Sequence, residues 1–130
     1  MIGLDSNVLV RYIAQDDPKQ SPIATKLITS LTTENPGFIS QVSLVELVWV
    51  MQSCYKASKP EVVAILETLL STRELLVENT EIAIKALKIF ETSKADFSDC
   101  LIERTANKAG CLHCVSFDTH AIKTAGFKPV

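Results

Sequence analysis

The chain begins with an apolar run, Met1-Ile2-Gly3-Leu4, too short for a helix, which gives way to Asp5-Ser6-Asn7 and then to Val8, Leu9, Tyr12 and Ile13 at helical spacing. This pattern predicts strand, turn, helix. Asp16-Asp17-Pro18 marks a turn, and Ser21-Pro22 opens a second helix with Ile23, Ala24, Leu27, Ile28 and Leu31 on its inner face. After Asn35-Pro36-Gly37 comes a short strand, Phe38-Ile39, followed by Ser40-Gln41-Val42-Ser43 and a long helix running to about Tyr55. Its residues Val42, Leu44, Val45, Leu47, Val48, Trp49, Val50 and Met51 are apolar on nearly every side, so it must be covered on more than one face.

The same alternation continues to the end. Lys59-Pro60 starts a helix with Val62, Val63, Ile65, Leu66, Leu69 and Leu70 as its apolar positions, and Leu75-Leu76-Val77 is a strand. Thr80 is expected to cap a helix carrying Ile82, Ala83, Ala86, Leu87 and Phe90. Another helix runs from about Phe97 to Lys108 and is stopped by Gly110. Leu112 to Phe117 reads as a strand, Thr119 to Thr124 as a short helix and Phe127 to Val130 as an edge strand. Strands alternating with helices imply parallel pairing through right-handed crossovers. The expected architecture is an α/β three-layer helix-sheet-helix sandwich with a short parallel sheet of four or five strands.

Length makes this one domain, 1–130, large enough to bury a core without staples. With 47% hydrophobic and 22% charged residues the chain is globular rather than disordered. It has neither an apolar run of membrane-spanning length nor a leader pattern, which predicts a soluble, cytoplasmic protein with no membrane partner. Cys111-Leu112-His113-Cys114 has no second Cys or His pair to complete a zinc tetrahedron, so all four cysteines are read as ordinary buried thiols. A net charge of −2 does not advertise nucleic-acid binding, although a bound cation would supply positive charge of its own.

Against this scheme the acids fall in a pattern. Asp5 ends the first strand, Glu46 lies early in the helix after the second, Asp96 and Asp99 start the helix before the fourth, and Asp118 follows the fourth. Each has a simpler explanation. Asp5 and Asp118 are good helix caps, Ser43-Leu44-Val45-Glu46 fits a capping box, and Asp96-Phe97-Ser98-Asp99 resembles one. Caps alone do not require convergence on one sheet edge, however. Converging carboxylates repel unless a cation joins them, and an all-oxygen set suits Mg2+ or Mn2+. The matching reaction is phosphodiester hydrolysis, with Ser6, Asn7 and Ser116 as groups that orient the acids. Arg11, Arg104, Lys108 and Lys123 are candidate phosphate contacts, each equally well explained as a surface charge. His120 is a possible proton donor, read here as a surface or capping residue.

Leu4-Asp5-Ser6-Asn7-Val8-Leu9-Val10-Arg11, Ser43-Leu44-Val45-Glu46-Leu47, Ala95-Asp96-Phe97-Ser98-Asp99-Cys100-Leu101-Ile102 and Ser116-Phe117-Asp118 together resemble the motifs of the PIN-domain nucleases, and within them the VapC-type toxins of type II toxin-antitoxin systems. The resemblance spans the chain in motif order and spacing. It implies invariant acids at Asp5, Glu46 and Asp99, a frequent fourth at Asp118 and a common additional acid at Asp96. It also implies a Mg2+- or Mn2+-dependent ribonuclease, usually a homodimer, silenced by a cognate antitoxin. Trp49 in the apolar helix is a typical interface anchor and fits such a dimer. The competing readings are a PIN-like RNA- or protein-binding module without nuclease activity, and a phosphatase acting through an aspartyl-phosphate. The phosphatase needs a second aspartate two residues after the first, or an acidic pair, where this chain has Asn7, and a lysine late in the sheet, where none lies at the end of the fourth strand.

Overall fold

The structure, a computed structural model, describes all residues from Met1 to Val130. The elements are β1 (Ile2–Gly3), α1 (Ser6–Ala14), α2 (Gln20–Ser30), β2 (Gly37–Ile39), α3 (Gln41–Ser53), α4 (Lys59–Ser71), β3 (Leu75–Val77), α5 (Thr80–Thr92), α6 (Phe97–Ala109), β4 (Val115–Ser116), α7 (Thr119–Thr124) and β5 (Lys128–Pro129). All strand pairings are parallel, as the alternation predicts. The five strands divide their hydrogen bonds into a three-stranded sheet, β1-β2-β3, and a two-stranded one, β4-β5. The chain forms two compact units, Met1–Glu78 and Asn79–Val130, and each sheet lies within one of them.

In the first unit β2 is the central strand, pairing Gly37 with both Ile2 and Leu75. It packs closely because Gly37 has no side chain: a Cβ there would come within 2.7 Å of Leu4 Cδ1 and 2.9 Å of Leu31 Cδ1, both on buried leucines. The Leu4 N–H still donates to the Phe38 carbonyl (2.8 Å), so the chain stays on the sheet until Asp5. Being an edge strand, β1 leaves Ile2 and Gly3 exposed rather than covered on both faces. The core of this unit is built from Leu9, Ile39, Leu44, Leu47, Val62 and Leu66, all fully buried or nearly so.

Three readings of this unit need correcting. On α2, Ile23 stands 69% in solvent, while Ser21 and Ala24 pack inside. Small Ser21 fits against α1 because its hydroxyl donates to the Arg11 carbonyl (2.8 Å), so burial costs it no hydrogen bond. On α3 the fold buries Ser43, Leu44, Leu47, Val48 and Met51 and leaves Val42 and Trp49 mostly in solvent, so this chain by itself covers the helix on one side only. The helix is capped by Ser40, whose hydroxyl accepts from the Ser43 N–H (3.1 Å), so Ser43 and Glu46 form no capping box.

In the second unit α5 and α6 pack together, with Phe90 and Phe97 edge to face at 5.8 Å between ring centres. Asn79, in a left-handed conformation (φ 49°), takes the position before α5, and Thr80 is its first helical residue rather than its cap. Gly110 ends α6 at φ 98°, as expected of a glycine in that place. The fourth strand is shorter than its apolar run. At the front, the Cys111 N–H is taken by the Ala106 carbonyl at the end of α6, and at the back the chain turns into α7, so Leu112 and Phe117 are left exposed. Only Cys100 is a buried thiol; Cys54 and Cys111 are exposed and Cys114 half-buried.

Candidate active site

Parallel pairing makes β1, β2 and β3 end in the same direction, so the residues after them share the carboxyl edge of one sheet. Asp5 follows β1 and Leu4. Ser40 follows β2 and starts α3, the helix that carries Glu46. Glu78 follows β3 and was not anticipated from the sequence. The Glu78 carboxylate accepts from the Gln41 N–H (3.0 Å), one of the free donors at the start of α3, and so fixes that helix to the sheet edge. The signal that marks it is its place, the residue directly after a strand and parallel to Asp5.

The capping explanation of the acids can be tested on their hydrogen bonds. Asp5 occupies the N-cap position of α1 with extended backbone (φ −75°, ψ 154°), yet its side chain makes no capping hydrogen bond. Asp96 does the same before α6 (φ −73°, ψ 145°), again without a capping bond. Glu46 is the sixth residue of α3, exposed, and beyond the reach of a first-turn role. True caps elsewhere in the chain look different: Ser58 and Glu61 complete a capping box on α4. Asp118 is such a cap, accepting from the His120 N–H (2.9 Å) and the Ala121 N–H (3.4 Å) of α7. Capping therefore accounts for Asp118 and does not account for Asp5, Asp96 or Glu46.

Within the second unit, Asp96, Asp99 and Asp118 act on one another. Asp99, the third residue of α6, is half-buried, and its carboxyl is held above the usual aspartate range, first by burial and then by the charges of Asp96 and Asp118; His120 opposes the shift weakly. The His120 ring lies 3.9 Å from the Asp96 carboxylate, both groups well exposed, while its backbone N–H serves the cap on Asp118. The Ser116 hydroxyl accepts from the Asp118 N–H (2.9 Å) and fixes the turn that presents this acid. Ser6 and Asn7 make no comparable bond. Asn7 lines a groove of about 390 Å³ between α1 and α2, together with Arg11.

In neither unit do three or more Asp, Glu, His or Cys side chains converge as they would around a metal ion. The donor chemistry nonetheless fits a hard divalent cation: the candidate acids offer oxygen only, and a cation would relieve the cost that burial, and then the charges of Asp96 and Asp118, put on the Asp99 carboxylate. The candidate phosphate contacts are less free than their charge implies. Arg11 donates to Gln20 (2.7 Å) and lies 3.9 Å from both Asp16 and Asp17, and Arg104 is held in a two-point contact by Glu103 (2.6 and 2.9 Å). Lys108 and Lys123 are exposed in the last turns of α6 and α7, where a cation also favours its own helix.

The chain belongs to the PIN-domain family, whose model matches residues 2–127. It is 27% identical over 127 residues to a VapC ribonuclease of Aquifex aeolicus (strain VF5), an alignment covering 98% of this chain and 93% of that protein. Among solved structures it is similar to Mycobacterium tuberculosis VapC20, described as a sarcin-ricin loop cleaving toxin, at 20% identity and a TM-score of 0.48, with 100% of this chain and 98% of that chain covered. No helix is long and apolar enough to cross a membrane.

The raised proton affinity of Asp99 sets a pH dependence. The folded protein holds this proton more tightly than the unfolded chain, so the carboxylate destabilises the metal-free fold as pH rises from the ordinary aspartate range through the raised one. Asp99→Asn should remove that dependence and leave the neutral-pH protein at least as stable as wild type, as read from thermal melts of the two proteins across acidic to neutral pH. A variant less stable at neutral pH by roughly 0.3 to 1 kcal/mol would show instead that the charge is favoured by the dipole of α6.

Proposed function

We propose that the protein is a Mg2+- or Mn2+-dependent endoribonuclease that hydrolyses RNA phosphodiester bonds in the cytoplasm, the toxin of a pair in which a cognate antitoxin protein silences it. The observation that carries this reading is that Asp5 and Asp96 stand at helix N-caps and cap nothing, while Glu46 lies beyond the first turn of its helix, so capping explains none of the three. Membership of the PIN-domain family and similarity along nearly the whole chain to a VapC ribonuclease support the reaction class.

In this reading Asp5, Glu46, Asp99 and Asp118 would hold the cation, with Asp96 as an additional acid. A cation held there would supply a water acidic enough to act as the nucleophile and positive charge to offset the negative charge of the phosphate. Burial, and then the charges of Asp96 and Asp118, raise the proton affinity of Asp99, so a proton and a cation would compete for this carboxyl. Ser116, by holding the Asp118 backbone, and Glu78, by holding the start of α3, keep two of the acids in place without touching substrate. Lys108 and Lys123 are the proposed phosphate contacts with the fewest competing partners.

Purified protein should cut single-stranded RNA with Mg2+ or Mn2+ and stop when EDTA is added, while Asp5→Asn should lose at least a hundredfold in rate. Cleavage that survives either EDTA or Asp5→Asn would remove the mechanism. A homodimer is the assembly that the toxin resemblance implies. Sedimentation at micromolar concentration should give twice the monomer mass, and a monomer would contradict it.

A further inference from the structure

We propose that Cys111 and Cys114 are a reversible dithiol–disulfide pair, a modification site that fastens the chain leading to Asp118 onto α6, whether or not the protein cuts RNA. A Cys-x-x-Cys spacing buried in a strand would be inert, but here the strand begins only at Val115, and Cys111 is exposed and Cys114 half-buried. Gly110, at φ 98°, ends α6 and turns the chain back along it. The Cys111 N–H then donates to the Ala106 carbonyl (3.0 Å), and the Cys114 thiol donates to the Ile102 carbonyl (4.0 Å). Those two carbonyls are one turn of α6 apart, roughly 6 Å along its axis. Three residues of extended chain would span about 10 Å. The segment is therefore folded to near the separation at which a disulfide joins two Cα atoms, about 4.4 to 6.8 Å. Leu112, 97% in solvent, does not pack between the sulfurs. No third Asp, Glu, His or Cys side chain groups with the pair, so it lacks the ligands of a closed zinc site.

Their surroundings give the two sulfurs different parts. Burial, then the charge of Glu103, then Cys111 itself hold the Cys114 thiol above the ordinary range, so the exposed Cys111 attacks first. The oxidant is a small-molecule disulfide. The Cys111 thiolate attacks one of its sulfurs, the S–S bond breaks, and the departing thiolate takes up the proton that Cys111 gave. Cys114 then loses its proton and attacks the Cys111 sulfur, releasing the second small thiol, which takes up that proton. One small disulfide is thereby reduced to two thiols while the two protein thiols become one disulfide. In a reducing compartment such a bond is transient and senses redox state. Once closed, the ring joins the end of α6, whose first turn carries Asp99, to the residue before β4, which leads on to Asp118. The Cys114 carbonyl accepts from the Lys128 N–H (2.8 Å), so the same cross-link steadies β5.

Mass measurement of the intact Cys54→Ser protein, which lacks the other exposed cysteine, tests this directly. After incubation with oxidised glutathione the mass should fall by two hydrogen atoms, the loss should map to Cys111 and Cys114, and dithiothreitol should reverse it. Cys114→Ser in the same background should stop at the first step and keep one glutathione on Cys111. Amide hydrogen exchange of residues 112–118 should slow in the oxidised protein and recover its former rate on reduction. Glutathione retained on Cys111 while Cys114 is present, a bond between two chains, or no reaction at all would overturn the proposal. So would a closed disulfide that leaves exchange of residues 112–118 unchanged, since the cross-link would then fasten nothing.

Discussion

Parallel strand pairing is the constraint on which the rest of the first unit depends. Strands β1, β2 and β3 are only two or three residues long, yet their common direction brings the residues that follow them, Asp5, Ser40 and Glu78, to one edge. Each does a different thing there. Ser40 caps α3 with its side chain, Glu78 ties down the first N–H of the same helix, and Asp5 satisfies neither demand. The close approach that allows this register rests on Gly37, since any side chain there would collide with Leu4 and Leu31.

What separates a ligand from a cap is where the carboxylate's hydrogen bonds go. A cap lowers the energy of its helix by taking up a free N–H, and Asp118 does so twice. Asp5 and Asp96 adopt the backbone geometry of a cap and forgo the bond, and Asp99 is held half-buried beside two like charges. The burial and like charges around Asp99 disfavour its ionised form in the isolated fold, and carboxyls perturbed in this way cluster at functional sites. Family membership adds a reason to read the acids together, and the hydrogen bonds add a reason that does not depend on it.

Much of the fold was legible because its elements are short and sharply punctuated. Gly110 stops α6, Pro60 opens α4, and β3 and α7 lie on their expected residues. The errors arose where one residue has two uses. The apolar run from Leu112 to Phe117 looked like a strand, but its front belongs to the end of α6 and its back to the cap of α7. Ser21 was passed over for the core because periodicity counts apolar residues and cannot see that a neighbouring carbonyl satisfies a hydroxyl. Asp5, Glu46, Asp96, Asp99 and Asp118 were visible as positions, whereas their hydrogen bonds were not, and neither was Glu78, whose partner lies 37 residues away. Pairing of Arg11 and Arg104 with nearby acids was equally hidden, since either charge alone looks free.

The central claim, that these acids are cation ligands rather than helix caps, is tested most directly by the response of stability to metal. With Mn2+ in hundredfold excess over its Kd, the wild-type protein should gain about 2.7 kcal/mol in thermal or denaturant unfolding, and Asp99→Asn should gain much less. Equal gains in the two proteins, or none in wild type at any Mn2+ concentration, would contradict the account.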